Sequence, residues 1–90
     1  MISNISFTLD GWSEYTSWQS ENKQKLKKIN ELIKDIVRNG HDGIGHPEPL
    51  KYELDGYWSR KIDEKNRLVY RILDDEKIEI IHCMGHYQDK

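Results

Sequence analysis

From Asn22 onward the chain carries an unbroken helical pattern, and that pattern decides what else the sequence can build. Leu26, Ile29, Ile33, Ile36 and Val37 fall on one helix face, while Lys23, Lys25, Lys27, Lys28 and Lys34 mostly avoid it. Asn39-Gly40 stops the helix, because glycine accepts the left-handed conformation a helix end needs. One wide apolar face must be covered by a second layer. Three downstream stretches supply it as strands: Tyr57 to Ile62, Arg67 to Leu73 and Lys77 to Cys83. Asp63-Glu64-Lys65-Asn66 and Asp74-Asp75-Glu76 are the turns between them. Upstream, Ile2 to Thr8 alternates like a strand, and Asp10 is the expected N-cap of a short helix carrying Trp12, Tyr15 and Trp18 on one stripe. The order is β-α-α-β-β-β. It predicts an α+β fold, with two N-terminal helices packed on a small antiparallel sheet, in a single domain spanning 1–90.

The strand alternation assigns faces. Leu68, Tyr70 and Ile72 point one way, and Arg67, Val69 and Arg71 the other. If the helices cover the first set, Arg67 and Arg71 lie on an open sheet face. Trp18 and Trp58 are expected inside, since a chain of 90 residues needs its large aromatics in the core.

Composition narrows the function. A net charge of −2 argues against a generic nucleic-acid binder. Within residues 51–71, however, Lys51, Arg60, Lys61, Lys65, Arg67 and Arg71 outnumber Glu53, Asp55, Asp63 and Glu64 by two. A local cationic surface fits this pattern; a long polyphosphate track does not. No run of apolar residues reaches the length of a membrane span, and the first residues lack the layout of a secretory signal. Cys83 is the only cysteine, which fits a reducing compartment, so the cytoplasm is the expected location.

Three residue types in the second half carry chemistry. Glu48 lies between Pro47 and Pro49, which fix their own φ and bias Glu48 away from helix, so its carboxylate rides on a stiff loop. Arg67 opens a strand, and His86 follows the last strand beside Tyr87. A carboxylate, a guanidinium and an imidazole are the parts that move a proton from a hydroxyl to a leaving oxygen past a phosphate. On pattern alone each also reads as an ordinary surface residue, Arg67 pairing with Asp63 or Glu64. A metal site finds no support: neither His82-Cys83 with His86 nor His41 with His46 has structural-zinc spacing. Cys83 sits in a strand among Ile80, Ile81 and Met84, where a thiol is buried and inert. No metal and no cofactor is expected.

The blocks Lys28-Ile29-Asn30-Glu31-Leu32-Ile33-Lys34-Asp35, Gly45-His46-Pro47-Glu48-Pro49-Leu50-Lys51, Gly56-Tyr57-Trp58-Ser59-Arg60, Asn66-Arg67-Leu68-Val69-Tyr70 and His86-Tyr87 run in this order through the chain. Together with Trp12 and Trp18, they closely resemble the YoeB (Txe) toxins of the RelE-like toxin–antitoxin superfamily. The resemblance implies a ribosome-dependent endoribonuclease that cuts mRNA in the A site. It also implies a cognate antitoxin of the YefM (Phd-like) type, a homodimer, and contact with operator DNA only through the antitoxin. By the same resemblance Glu48 is the general base, His86 the general acid and Arg67 the holder of the scissile phosphate. Lys51, Arg60 and Tyr87 are then supporting substrate contacts. Asn66 departs from the pattern, since a histidine is common there. Two other readings stand beside this one: a non-catalytic RelE-like module acting in antitoxin binding and operator autoregulation, and a ribosome-independent RNase.

Overall fold

Each helix begins where a short polar side chain replaces the missing backbone acceptors. The computed structural model describes residues 1–86. Thr8, not Asp10, caps the first helix, α1 (Leu9–Glu21): its hydroxyl accepts the Gly11 N–H at 3.1 Å. Asp10 instead sits inside the first turn, where a carboxylate meets the positive end of the helix dipole. Asn22 caps the second helix, α2 (Lys23–Asn39), by accepting from Gln24 and Lys25. Gly40 ends α2 with φ +62°, as the sequence predicts.

The five strands among the described residues are β1 (Asn4–Phe7), β2 (Glu48–Pro49), β3 (Trp58–Lys61), β4 (Arg67–Leu73) and β5 (Lys77–His82). They form one sheet in the order β1-β5-β4-β3-β2. The pairs β2–β3, β3–β4 and β4–β5 are antiparallel, as expected, but β1 runs parallel to β5. The chain leaves β1 through two helices rather than a hairpin, and a helical crossover is what allows parallel neighbours. The two-residue β2 was expected to be loop; its pairing with β3 gives Glu48 a fixed place in the sheet.

The helices cover one face. Ile29, Leu32 and Ile36 of α2 meet Leu68, Tyr70, Ile78 and Ile80, all fully buried. Leu32 belongs to the buried stripe as well, whereas Val37, expected in it, is exposed. Removing a side chain such as Leu32 from this core would cost about 2–5 kcal/mol. α1 approaches β5 closely because Gly11 has no side chain: a Cβ there would lie 2.6 Å from the Ile80 carbonyl oxygen. The β4–β5 hairpin turns on Asp74 and Asp75, both with positive φ. That is the type I′ geometry that matches strand twist.

Candidate active site

Register fixes which side chains share the open face. Partners across antiparallel strands point the same way. Trp58 and Arg60 pair with Tyr70 and Leu68, so they face the helices. Ser59 and Lys61 pair with Val69 and Arg67, so they face away. Glu48 pairs with Ser59 and joins the same face. Strands lie about 4.8 Å apart, which puts Glu48 on β2 roughly 10 Å from β4. Leu50, buried just beyond, anchors this loop, and its N–H donates to the Tyr57 carbonyl at 2.9 Å. Glu48 itself is exposed. Lys51 is exposed too, at the start of the 3₁₀ turn Tyr52–Leu54.

Arg67 lies at the other side of the row. Its guanidinium donates to the Asp63 carbonyl at 2.6 Å and to the Asn66 carbonyl at 3.2 Å. Those acceptors are neutral, so they orient the cation without neutralising it. The Asp63 carboxylate, expected as an Arg67 partner on pattern alone, pairs with Lys25 at 3.0 Å and accepts from the Lys65 and Asn66 N–H groups. Burial pushes the Asp63 carboxyl up, but the hydrogen bonds from Asn66, Lys25 and the turn backbone outweigh it and hold it well below the usual carboxylate range.

The segment after β5 brings His86 to this face. The Arg67 N–H donates to the Gly85 carbonyl at 3.0 Å, and the Gly85 N–H donates to the Asn66 side chain at 2.7 Å. Asn66, the departure from the family pattern, thus ties the β3–β4 turn to the backbone next to His86. His86 lines a cavity of about 220 Å³ with Glu14, Val69, His82, Met84 and Gly85. Val69 belongs both to this cavity and to the cross-strand row ending at Glu48. Tyr87 lies outside the described residues.

Arg60, expected as a substrate contact, lies away from this face. It is fully buried, on the helix-covered face of β3. Its guanidinium forms an ion pair with Asp35, donates to the Ile44 carbonyl at 2.9 Å and to the Gly40 carbonyl, and lies against the Tyr70 hydroxyl. No substrate can reach it there. Its task is to pin the loop that follows α2 and leads to Glu48. Asp35 completes the clamp by accepting the Ile44 N–H at 3.0 Å, and the Arg60 hydrogen bond holds its carboxyl below the usual range. His41 stacks on Trp58 at 4.0 Å and reaches the Tyr70 hydroxyl at 3.2 Å. Burial, then the nearby Arg60 charge, lowers its pKa.

The cation that faces outward from β3 is Lys61, opposite Arg67 and 2.8 Å from Glu64. The sequence carried the signal: Trp58, Arg60 and Ile62 alternate as one apolar-flanked face, which leaves Lys61 on the other. Cys83 is fully buried, and burial followed by the Glu14 charge pushes its thiol up to about 12, so it is no nucleophile at neutral pH.

This face carries the cations Lys61 and Arg67, with the Glu64 carboxylate beside Lys61, the Glu48 carboxylate on one side and the His86 imidazole on the other. Comparison with known proteins agrees with the family that the motifs resemble. A family model described as "YoeB-like toxin of bacterial type II toxin-antitoxin system" matches residues 7–87. Toxin YoeB of Synechocystis is 52% identical over 84 residues, covering 93% of this chain and 96% of that protein. The YoeB/ParE toxin from Agrobacterium tumefaciens superposes with a TM-score of 0.91 at 40% identity, covering 94% of this chain and 100% of the other. Staphylococcus aureus YoeB matches in its YoeB–YefM complex with a TM-score of 0.86 at 45% identity, over 97% of this chain and 99% of that one. Its dimer matches with a TM-score of 0.88 at 46% identity, over 97% and 100%. With the sheet, the Pro-Glu-Pro loop and the Arg67 strand in their places, the chain belongs to the YoeB-like toxins of bacterial type II toxin–antitoxin systems.

Proposed function

We propose that this protein is a ribosome-dependent mRNA endoribonuclease that stops translation by cutting mRNA in the A site. The observation that carries the reading is the face they share, turned away from the helices: Glu48, Lys61 and Arg67 lie across three neighbouring strands, and His86 joins them through Val69. In this reaction Glu48 takes the proton from a ribose 2′-OH. The 2′-oxygen attacks the adjacent phosphorus, and the bond from phosphorus to the 5′-oxygen breaks. His86 gives a proton to that leaving oxygen, so the products are a 2′,3′-cyclic phosphate and a 5′-hydroxyl. Arg67 and Lys61 stabilise the charge on the non-bridging oxygens, with Lys51 and Tyr87 as further substrate contacts.

Acid–base help of this kind is typically worth about 10²–10⁴-fold. A carboxylate is a weak base toward an alcohol. The remaining acceleration has to come from orientation. A ribosome that holds the mRNA in the attack geometry supplies it, which is why so small a surface suffices. The partners are a YefM-type antitoxin, a second copy of the chain, and operator DNA through the antitoxin, in the cytoplasm. An acidic antitoxin segment would fold over Lys51, Lys61 and Arg67 and silence the face.

Cell-free translation with mapped mRNA ends tests this reading. Wild type should arrest translation and create new ends in the A-site codon, and Glu48→Ala, Arg67→Ala and His86→Ala should not. Equal arrest by every variant with no new ends would leave only a non-catalytic module. Rapid cutting of free RNA, with no gain from ribosomes, would identify a ribosome-independent RNase.

A further inference from the structure

The side chain that holds the His86 segment from the helical side is Glu14. β5 ends at His82, and the next backbone N–H groups have no strand to donate to. One oxygen of the Glu14 carboxylate accepts both of them, from Cys83 at 2.7 Å and from Met84 at 3.1 Å. Its other oxygen lies 3.0 Å from His82 Nδ1. One turn further along α1, the Trp18 indole N–H donates to the Cys83 carbonyl at 2.8 Å. The opposite side of the segment is held by Asn66 and by the Arg67 N–H. Glu14 lines the same cavity as His86.

We infer that Glu14 is a positioning residue, which fixes the backbone from Cys83 to Met84 and thereby sets where the His86 imidazole meets the leaving oxygen. The inference rests on reading His86 as the general acid. A carboxylate suits the task because a single oxygen can accept two converging N–H groups while the second oxygen engages an imidazole. Glutamine keeps the reach and the shared oxygen, and its amide N–H₂ can donate to an accepting ring nitrogen of His82. Aspartate keeps the charge but is one methylene too short. Length and acceptor geometry therefore matter more than charge.

Cleavage on programmed ribosomes by the purified full chain tests this, with kcat and KM measured separately. Glu14→Ala and Glu14→Asp should lower kcat about 10- to 100-fold with KM within about twofold, the scale of a group displaced by an ångström or less. Glu14→Gln should stay within about threefold of wild type. Amide hydrogen exchange at Cys83 and Met84 should speed up about tenfold or more in the Ala and Asp variants, and not in Gln, because the acceptor is lost only in the first two. If Glu14→Ala does not fold, Glu14→Asp carries the comparison. The inference is overturned if the Asp variant turns over like wild type, or if Gln fails as badly as Asp while both amides stay protected. Should wild type itself not cut, the proposed function fails, and amide exchange still judges the clamp: unchanged protection in the Asp variant overturns it.

Discussion

Arg60 and Arg67 lie on neighbouring strands and look alike in sequence, yet they end on opposite faces of the sheet. Arg60 is wholly buried and meets a carboxylate, two carbonyls and a hydroxyl. Arg67 is partly exposed, and its guanidinium donates to two backbone carbonyls. The first cation is spent inside the protein, holding the loop before Glu48. The second keeps its charge on the face turned away from the helices, where the proposed function needs it. Strand parity, not local composition, separates a structural arginine from one available to a substrate.

The comparison can be broken most decisively through activity. Glu48→Ala and His86→Ala should each lose about 10²–10⁴-fold in cleavage, and Arg67→Ala about 10²–10³-fold. None of these should move the urea midpoint appreciably. If Arg67→Ala unfolded the protein instead, the open-face assignment would fail. Arg60→Met should do the reverse and destabilise by about 3 kcal/mol, because it strands the Asp35 carboxylate and two carbonyls. Pairing it with Asp35→Leu should recover part of that loss in urea unfolding, since the two changes remove one interaction together.

Acid sharpens the same contrast. Asp35 beside Arg60 and Asp63 in the β3–β4 turn both have folded pKa values below the ordinary value. The unfolded chain therefore binds their protons first, and the stability they contribute is present above about pH 4 and fades as pH falls below it. His41 adds a shallower slope at higher pH. Its lowered pKa means that folding favours the neutral ring, so stability declines as pH falls below about 6.5. Thermal unfolding between pH 2 and pH 8 should show both phases, with the upper one absent in His41→Phe. The smallest effect belongs to a region that neither arginine touches. Asp75 holds a φ of +57°, and Asp75→Gly should stabilise the hairpin by about 1 kcal/mol without altering cleavage.

The parts of this molecule that follow from local periodicity were legible in its sequence: α2 with its Gly40 stop, β4 from Arg67 to Leu73, and the side of β4 that Arg67 faces. The parts that depend on distant partners were not. Glu48–Pro49 becomes a strand only because β3 lies beside it, and two residues carry no period. β1 is parallel because of where β5 comes to rest. Glu14 meets Cys83, 69 positions away, and nothing near either residue announces the contact. Arg60 is a different case. Its burial was readable from Trp58 and Ile62 on either side, but a charged residue in a cationic stretch invites the opposite reading.

The parallel pairing of β1 with β5 also has a consequence for how the protein is made. The Ser6 hydroxyl reaches the Ile78 carbonyl, 72 residues further along the chain. At about 5–20 residues per second, synthesis leaves β1 without its neighbour for roughly four to fourteen seconds. During that time Glu48 and then Arg67 emerge, but β5 and the segment bearing His86 are still missing. Contacts of such long sequence separation also form slowly once the chain is whole. If the proposed function holds, the face that acts on ribosomes stays incomplete until β5 and the segment bearing His86 have been synthesised.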